Sequence, residues 1–235
     1  MQAPIILFED NHCIAVAKPA GLLTQGVPAG LPTLEACVKD YLRDRYRKPG
    51  RVYLGVPHRL DRPVSGVVLF ARNSKSAARL AEQFHLHQVE KIYWAIVGGQ
   101  LDPPEQNWVD WLLKVPEEAR AEVVPPGATG AKKAVLNVTT LSAAKDDLSW
   151  VEMRPRTGRM HQLRIQAAVR GHPILGDELY GSTIPFGPPA ELSRDRVIAL
   201  HARSLTFLHP IRYEPVCVEA PLPDYWPPVP ADGRP

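Results

Sequence analysis

The 235-residue chain reads as α+β, a mixed and largely antiparallel sheet with flanking helices. Apolar segments of strand length outnumber helical ones, and helical spacing recurs in only a few places. The two kinds of segment also lack the βαβα alternation that a parallel sheet requires.

Taken in order, Ile5 to Phe8 and Cys13 to Ala17 read as strands around a turn at Asp10-Asn11. From Leu34 the positions Leu34, Cys37, Val38, Tyr41 and Leu42 recur at helical spacing, behind a cap at Thr33. Val67 to Ala71 is a dense apolar run of strand length, and Ser74 then caps a helix to about Gln83, with Leu80 and Phe84 on one face. Lys91 to Val97 is rich in strand formers and ends at Gly98-Gly99. Pro103-Pro104 and Pro125-Pro126-Gly127 punctuate a middle region of loops and hairpins. Val135 to Leu141, Leu148 to Met153, Ser204 to Leu208 and Val216 to Glu219 are further strands. His161 to Arg170 is a helix stopped by Gly171 and followed by Pro173. Residues 1–220 are expected to form one domain, and the prolines of 221–235 an extended strip on its surface.

Composition narrows the classes. Hydrophobic residues at 45% and charged residues at 23% suit a globular protein with a full core. No long uncharged apolar run appears, and Met1 to Asp10 is too acidic and interrupted for a secretory signal, so a cytoplasmic protein is expected. Cys13, Cys37 and Cys217 are isolated and odd in number, which reads as reduced core thiols, not a disulfide frame or zinc site. The formal net charge is only +3, but it is clustered. Arg43, Arg45, Arg47, Lys48 and Arg51 interleave with Tyr41, Tyr46 and Tyr53; Arg154, Arg156, Arg159, Arg164 and Arg170 form a second group. Basic clusters with aromatics suit a phosphate backbone with stacked bases. They suit solvated helix faces equally well, so charge alone decides nothing.

The segment P-H-R-L-D-R-P-V-S-G, residues 57–66, presents Asp61 between Arg59 and Arg62 and leads straight into an apolar strand. A carboxylate flanked by cations at the mouth of a sheet is what an ionised nucleophile or base needs. A surface ion pair beside a turn fits the same spacing.

H-R-L-D-x-x-x-S-G entering a strand resembles the catalytic motif of RluA-type pseudouridine synthases. Three further segments match that family in order: K-I-Y-W-A-I-V-G (91–98), R-T-G-R-M-H-Q-L-R through G-H-P-I-L-G-D-E-L-Y-G (156–181), and L-H-A-R-S-L-T-F-L-H-P (200–210). The resemblance implies the pseudouridine synthase catalytic fold over residues 1–220. It implies an RNA isomerase acting on uridines of ribosomal or transfer RNA, working as a monomer without metal or organic cofactor. By the same resemblance, Asp61 is the essential aspartate, Tyr93 lies against the flipped uracil, and Arg164 is the basic partner of Asp61. Arg59 replaces the extruded base in the stack, Leu200 is an apolar wall of the pocket, and Arg62 and His161 contact the RNA. Val64 stands where the family usually has threonine and Gln166 where histidine is common, which bears on the target site more than on the reaction. The pattern begins at residue 5, so no separate N-terminal RNA-binding domain is expected.

Other readings are weaker. His58, His85 and His87 lack the companion ligands of a metal site and read as polar-face histidines. Trp94, Trp108, Trp111 and Trp150 read as core or groove wall. Asp177 and Glu178 read as turn residues bonding the backbone of Gly171 to Pro173. A catalytically silent RNA binder, or a glycosidase using Asp61 and a second carboxylate such as Asp177, are the competing functions.

Overall fold

The computed structural model describes residues 3–26, 31–115, 117–144 and 147–229. The architecture is α+β, a mixed and mostly antiparallel sheet with three α-helices. The chain divides into two compact units, residues 1–91 with 202–223, and residues 92–201 with 224–235.

Unit 1 begins with a hairpin, β1 (Ile5–Glu9) and β2 (Cys13–Lys18), then α1 (Leu34–Arg45), β3 (Ser65–Ala71) and α2 (Ser74–His85). The Thr33 hydroxyl accepts the Ala36 N–H and caps α1 as the sequence suggests. For α2 the cap is Asn73, not Ser74: the Asn73 carboxamide oxygen accepts the Ser76 N–H at 2.9 Å. Asn and Ser are nearly equal as caps, so sequence could not separate adjacent candidates. β9 (Leu200–Leu208) and β10 (Pro215–Glu219) complete the unit, whose strands run in the order β1, β2, β3, β9, with β10 on β9. Leu69, Leu80, Val89, Leu205 and Phe207 are buried in its core.

Unit 2 holds most of β4 (Glu90–Gly98), then β5 (Glu105–Val115), β6 (Arg120–Val124), β7 (Lys132–Ala144), β8 (Leu148–Pro155) and α3 (Gln162–Ala168). Its strands follow the order β4, β8, β7, β5, β6. β5 and β6 form the hairpin that the prolines around them bracket. α3 is shorter than the expected 161–170, because His161 is left-handed (φ 51°) and the chain leaves the helix at Val169. Trp94, Trp108 and Trp150 are buried.

Cys13 and Cys37 are buried thiols, whereas Cys217 is exposed on β10, where a strand residue can face either core or water. Among the described residues no helix is long and apolar enough to cross a membrane. The proline-rich end is not wholly a surface strip. Trp226 is buried, with ring centroids 5.2 Å from Phe186, 5.4 Å from Trp150 and 6.0 Å from His201. A large apolar ring outweighs the local preference of proline-rich chain for solvent. Residues 230–235 of that strip lie outside the described residues. Emptying the Trp226 site should cost about 3–5 kcal/mol. Trp226→Ala is therefore expected to lower the urea midpoint clearly; an unchanged midpoint would mean the ring contributes nothing to unit 2.

Candidate active site

The H-R-L-D segment is a loop of unit 1 lying between α1 and β3, and it is fastened at successive residues. The His58 ring stacks on Phe84 with centroids 4.4 Å apart, and its Nε2 accepts the Leu69 N–H at 2.9 Å. Burial, helped by the nearby Lys91 charge, holds His58 down to about 3, so the ring is neutral and can accept. It is thus an inserted anchor and not the polar-face histidine its sequence context suggests. His85 and His87 are exposed. The Thr24 hydroxyl donates to the Leu60 carbonyl at 2.9 Å and accepts the Leu60 N–H at 3.2 Å. Arg62 donates from Nε to the Gly21 carbonyl, and its own carbonyl accepts the Gly21 N–H, both at 2.8 Å.

Beneath this loop lies Lys18, 1% exposed at the end of β2. Its ammonium donates to the carbonyls of Pro19 (3.0 Å), Leu22 (2.7 Å) and Arg62 (3.1 Å). Burial lowers Lys18 to about 7, while the charge of Asp61 works to raise it and that of Arg62 to lower it further. Three acceptors match the three N–H bonds of the protonated amine, so the site is built for the cation. Asp61 itself is half-buried, with its carbonyl closing a turn to the Val64 N–H at 3.1 Å; Arg59 is exposed. Gly66, next along, has φ +120°, and a Cβ there would fall 2.3 Å from the Ala202 carbonyl oxygen. No other residue fits, which gives the S-G of the motif a packing reason.

The other predicted residues belong to unit 2. Tyr93 is half-buried on β4 opposite Met153 of β8, and Leu200 is buried at the start of β9. Arg164 is buried on α3 and grips Asp177 with both arms, Nε to Oδ2 at 2.6 Å and Nη2 to Oδ1 at 2.7 Å. Asp177 is 1% exposed, so its side chain answers a buried guanidinium where sequence assigned it to a backbone turn. The Arg164 guanidinium also lies 5.1 Å over the Tyr180 ring. The Tyr180 hydroxyl accepts the Ala121 N–H and stands 2.9 Å from His161 Nδ1, so His161 and Arg164 meet through one tyrosine. Lys18, Thr24 and Tyr180 escaped sequence reasoning, and Asp177 was noticed without its partner Arg164. A lone lysine or a turn aspartate looks solvated until the fold supplies its partners.

The two basic clusters differ. In the first, Glu9 accepts from the Tyr41 and Tyr46 hydroxyls and pairs with Arg72 and Arg45, while Arg43 pairs with Asp40 and Asp44. In the second, Arg164 and Arg170 are bound to Asp177 and Asp110, and Arg154 to Glu152.

Asp10, Cys13 and His209 bring potential metal-ligand atoms within 4.8 Å of one another. Those atoms are committed elsewhere. Asp10 accepts the His12 and Cys13 N–H groups and His209 Nε2, and His209 Nδ1 accepts the Ile211 and Arg212 N–H groups. Arg212 adds a cation at 3.1 Å. Although burial works the other way, these bonds hold Asp10 down to about 2, and burial pushes the Cys13 thiol up to about 12. The cluster clasps the chain and offers no vacancy for an ion.

Two outcomes follow from the anchors. Removing one partner of a buried pair typically costs about 3–5 kcal/mol. Arg164→Met should show such a loss in chemical denaturation, and adding Asp177→Asn should recover much of it; purely additive losses would dissolve the pair. His58 is held far below the 6.5 of an ordinary histidine. The unfolded chain therefore takes up a proton below about 6.5 that the folded one refuses until about 3. Stability should drop as pH falls through that window, by up to about 1.4 kcal/mol per pH unit from this group. His58→Gln, which keeps an acceptor but does not titrate, should flatten the slope; an unaltered slope would rule His58 out as its source.

Comparison with known proteins identifies the family. The family model described as RNA pseudouridylate synthase matches residues 12–169. The chain is 36% identical to tRNA pseudouridine synthase C of Haemophilus ducreyi, over 94% of this chain and 92% of that one. It is 33% identical to the dual-specificity RNA pseudouridine synthase RluA of Vibrio vulnificus, over 87% and 78%. Among solved structures, human RNA pseudouridylate synthase domain containing 4 shares the fold with a TM-score of 0.76 at 24% identity, covering 94% of this chain and 89% of that one. Human RNA pseudouridylate synthase domain containing 1 superposes with a TM-score of 0.69 at 27% identity, covering 94% and 84%. With the H-R-L-D loop anchored as described and the match running through the bulk of both units, the chain belongs to the RNA pseudouridylate synthase family, as an enzyme of the RluA type that isomerises uridine in RNA.

Proposed function

We propose that the protein converts uridine to pseudouridine in transfer RNA, with Asp61 as the essential carboxylate, and that it does so as a cytoplasmic monomer. The observation that carries the reading is the anchoring of the Asp61 loop on buried Lys18 and Thr24 and on the inserted ring of His58. A carboxylate that must meet a reacting sugar or base needs a backbone that does not yield. The names of the relatives from Haemophilus ducreyi and Vibrio cholerae, both tRNA pseudouridine synthase C, favour transfer RNA.

In the reaction the N1–C1′ bond breaks, a C5–C1′ bond forms, a proton leaves C5 and one arrives at N1, so the formula is unchanged. The target lies in stacked RNA and must be flipped out, which costs a few kcal/mol. Arg59, exposed beside the loop, takes the vacated place in the stack with its planar guanidinium. Tyr93 lies against the uracil, Leu200 forms an apolar wall, and Arg62 and His161 contact the RNA. Arg164, oriented by Asp177, serves as the counter-charge of Asp61. Residues 1–220 make up the catalytic domain, and neither a metal nor an organic cofactor takes part.

Asp61→Asn is isosteric, so folding and RNA affinity should stay near wild type. Pseudouridine formation in an unmodified tRNA transcript should fall more than about 10³-fold. Wild type should work in chelator with RNA alone and release no uracil. Turnover by the asparagine variant would remove Asp61 from this role, and free uracil would point to glycosidase chemistry. Conversion of ribosomal RNA alone would reassign the substrate.

A further inference from the structure

Resting on the RNA reading above, we propose that the Arg156–Met160 turn and the start of β7 form a track for RNA phosphates outside the reacting nucleotide. Its cations are Lys133, Arg156 and Arg159, and Gly158 is its point of close approach.

The turn is held rigidly. The buried Gln162 side chain accepts from the Arg159 N–H (3.0 Å) and the Thr157 hydroxyl (2.8 Å), and donates to the Val135 carbonyl (3.1 Å). Val135 also donates its N–H to Thr157 Oγ1 at 2.9 Å, and its carbonyl accepts the Arg156 N–H at 2.9 Å. Arg159 Nε reaches the Lys133 carbonyl at 3.0 Å. The last of these ties the turn to β7 at Lys133.

Unlike Arg43 and Arg45 of the first cluster, the cations of this group are not paired with carboxylates. Among the described residues none of the three forms an ion pair, and Lys133 and Arg156 are exposed. The acids of neighbouring strands are committed: Asp110, opposite Ala134, to Arg170, and Glu152 to Arg154. Like charges at one turn with no acid paired to them repel one another, and a polyanion relieves that repulsion.

Gly158 leaves room for such a chain, as Gly50 does near Lys48 and Arg51. A Cβ at Gly158 would meet nothing within 4 Å, and its φ lies outside the left-handed region, so the protein itself makes no demand for glycine. A bare backbone flanked by Arg156 and Arg159 is shaped for a sugar–phosphate chain to approach.

The test is binding and turnover of the full chain on an unmodified tRNA transcript, across a salt series. Lys133→Gln with Arg156→Gln should keep the wild-type melting temperature and weaken binding about tenfold at moderate salt. The slope of log affinity against log salt should shrink by about 2, one per lost phosphate contact, with kcat at saturation unchanged. Gly158→Ala should raise KM with no change in melting temperature. Arg43→Gln, which removes a cation already paired with Asp40 and Asp44, should bind like wild type. An unaltered salt slope in the double variant would overturn the track, and so would an equal loss in Arg43→Gln. If wild type makes no pseudouridine but the slope difference persists, the isomerase reading fails and the track stands; if wild type does not bind the transcript, both fail.

Discussion

A charged lysine amine buried to 1% exposure is costly to take out of water, by several kcal/mol if left uncompensated. Lys18 is compensated by three backbone carbonyls, and the choice of those carbonyls organises the unit around it. Two belong to the segment that leaves β2, and the third to Arg62, beside Asp61. One cation therefore fixes the exit of a core strand and the loop that presents the carboxylate. The paired Gly21 and Arg62 backbones and the Thr24 bonds to Leu60 continue the same seam. Irregular chain is thereby held as firmly as a sheet ladder would hold it, and a positive charge stands behind the aspartate.

Much of this architecture was legible because strand and helix periods are local properties. The hairpin of β1 and β2, the apolar β3, the β4 strand and the Thr33 cap appear where their residues place them. β5 was hidden among Glu105, Asn107 and Asp110, polar residues that a strand tolerates on its outer side. What stayed illegible depends on residues far apart in sequence. Lys18 and Arg62 are 44 positions apart, Arg164 and Asp177 lie on separate elements, and Trp226 finds its aromatic neighbours only after the fold has closed. Asp61 could be singled out by motif, but not the seam that makes its loop rigid.

Charge shows the same division between local and distant information. The two arginine-rich stretches look alike on paper. Glu9, more than thirty positions before the first of them, takes in the Tyr41 and Tyr46 hydroxyls and pairs with Arg45 and with Arg72 from outside the stretch, so that part of the cluster is a structural joint. The acids near the second stretch are engaged pairwise with Arg154, Arg164 and Arg170, so its remaining cations face water. Counting basic residues could not have told the joint from the open surface.

Unit 1 is made of two pieces of chain, 1–91 and 202–223, with the body of unit 2 inserted between them. The clasp of Asp10 to His209 joins residues 199 positions apart. During synthesis the first hairpin, α1 and the Asp61 loop therefore emerge well before β9 and β10 exist. The Val67 and Leu69 side of the core, which in the finished unit packs with Leu205 and Phe207, has to wait for them. At ribosomal rates of about 5–20 residues per second, that wait lasts several seconds. The amino-terminal half of the protein thus spends its early life as an incomplete sheet, and its full assembly is coupled to the arrival of the last strands from the ribosome.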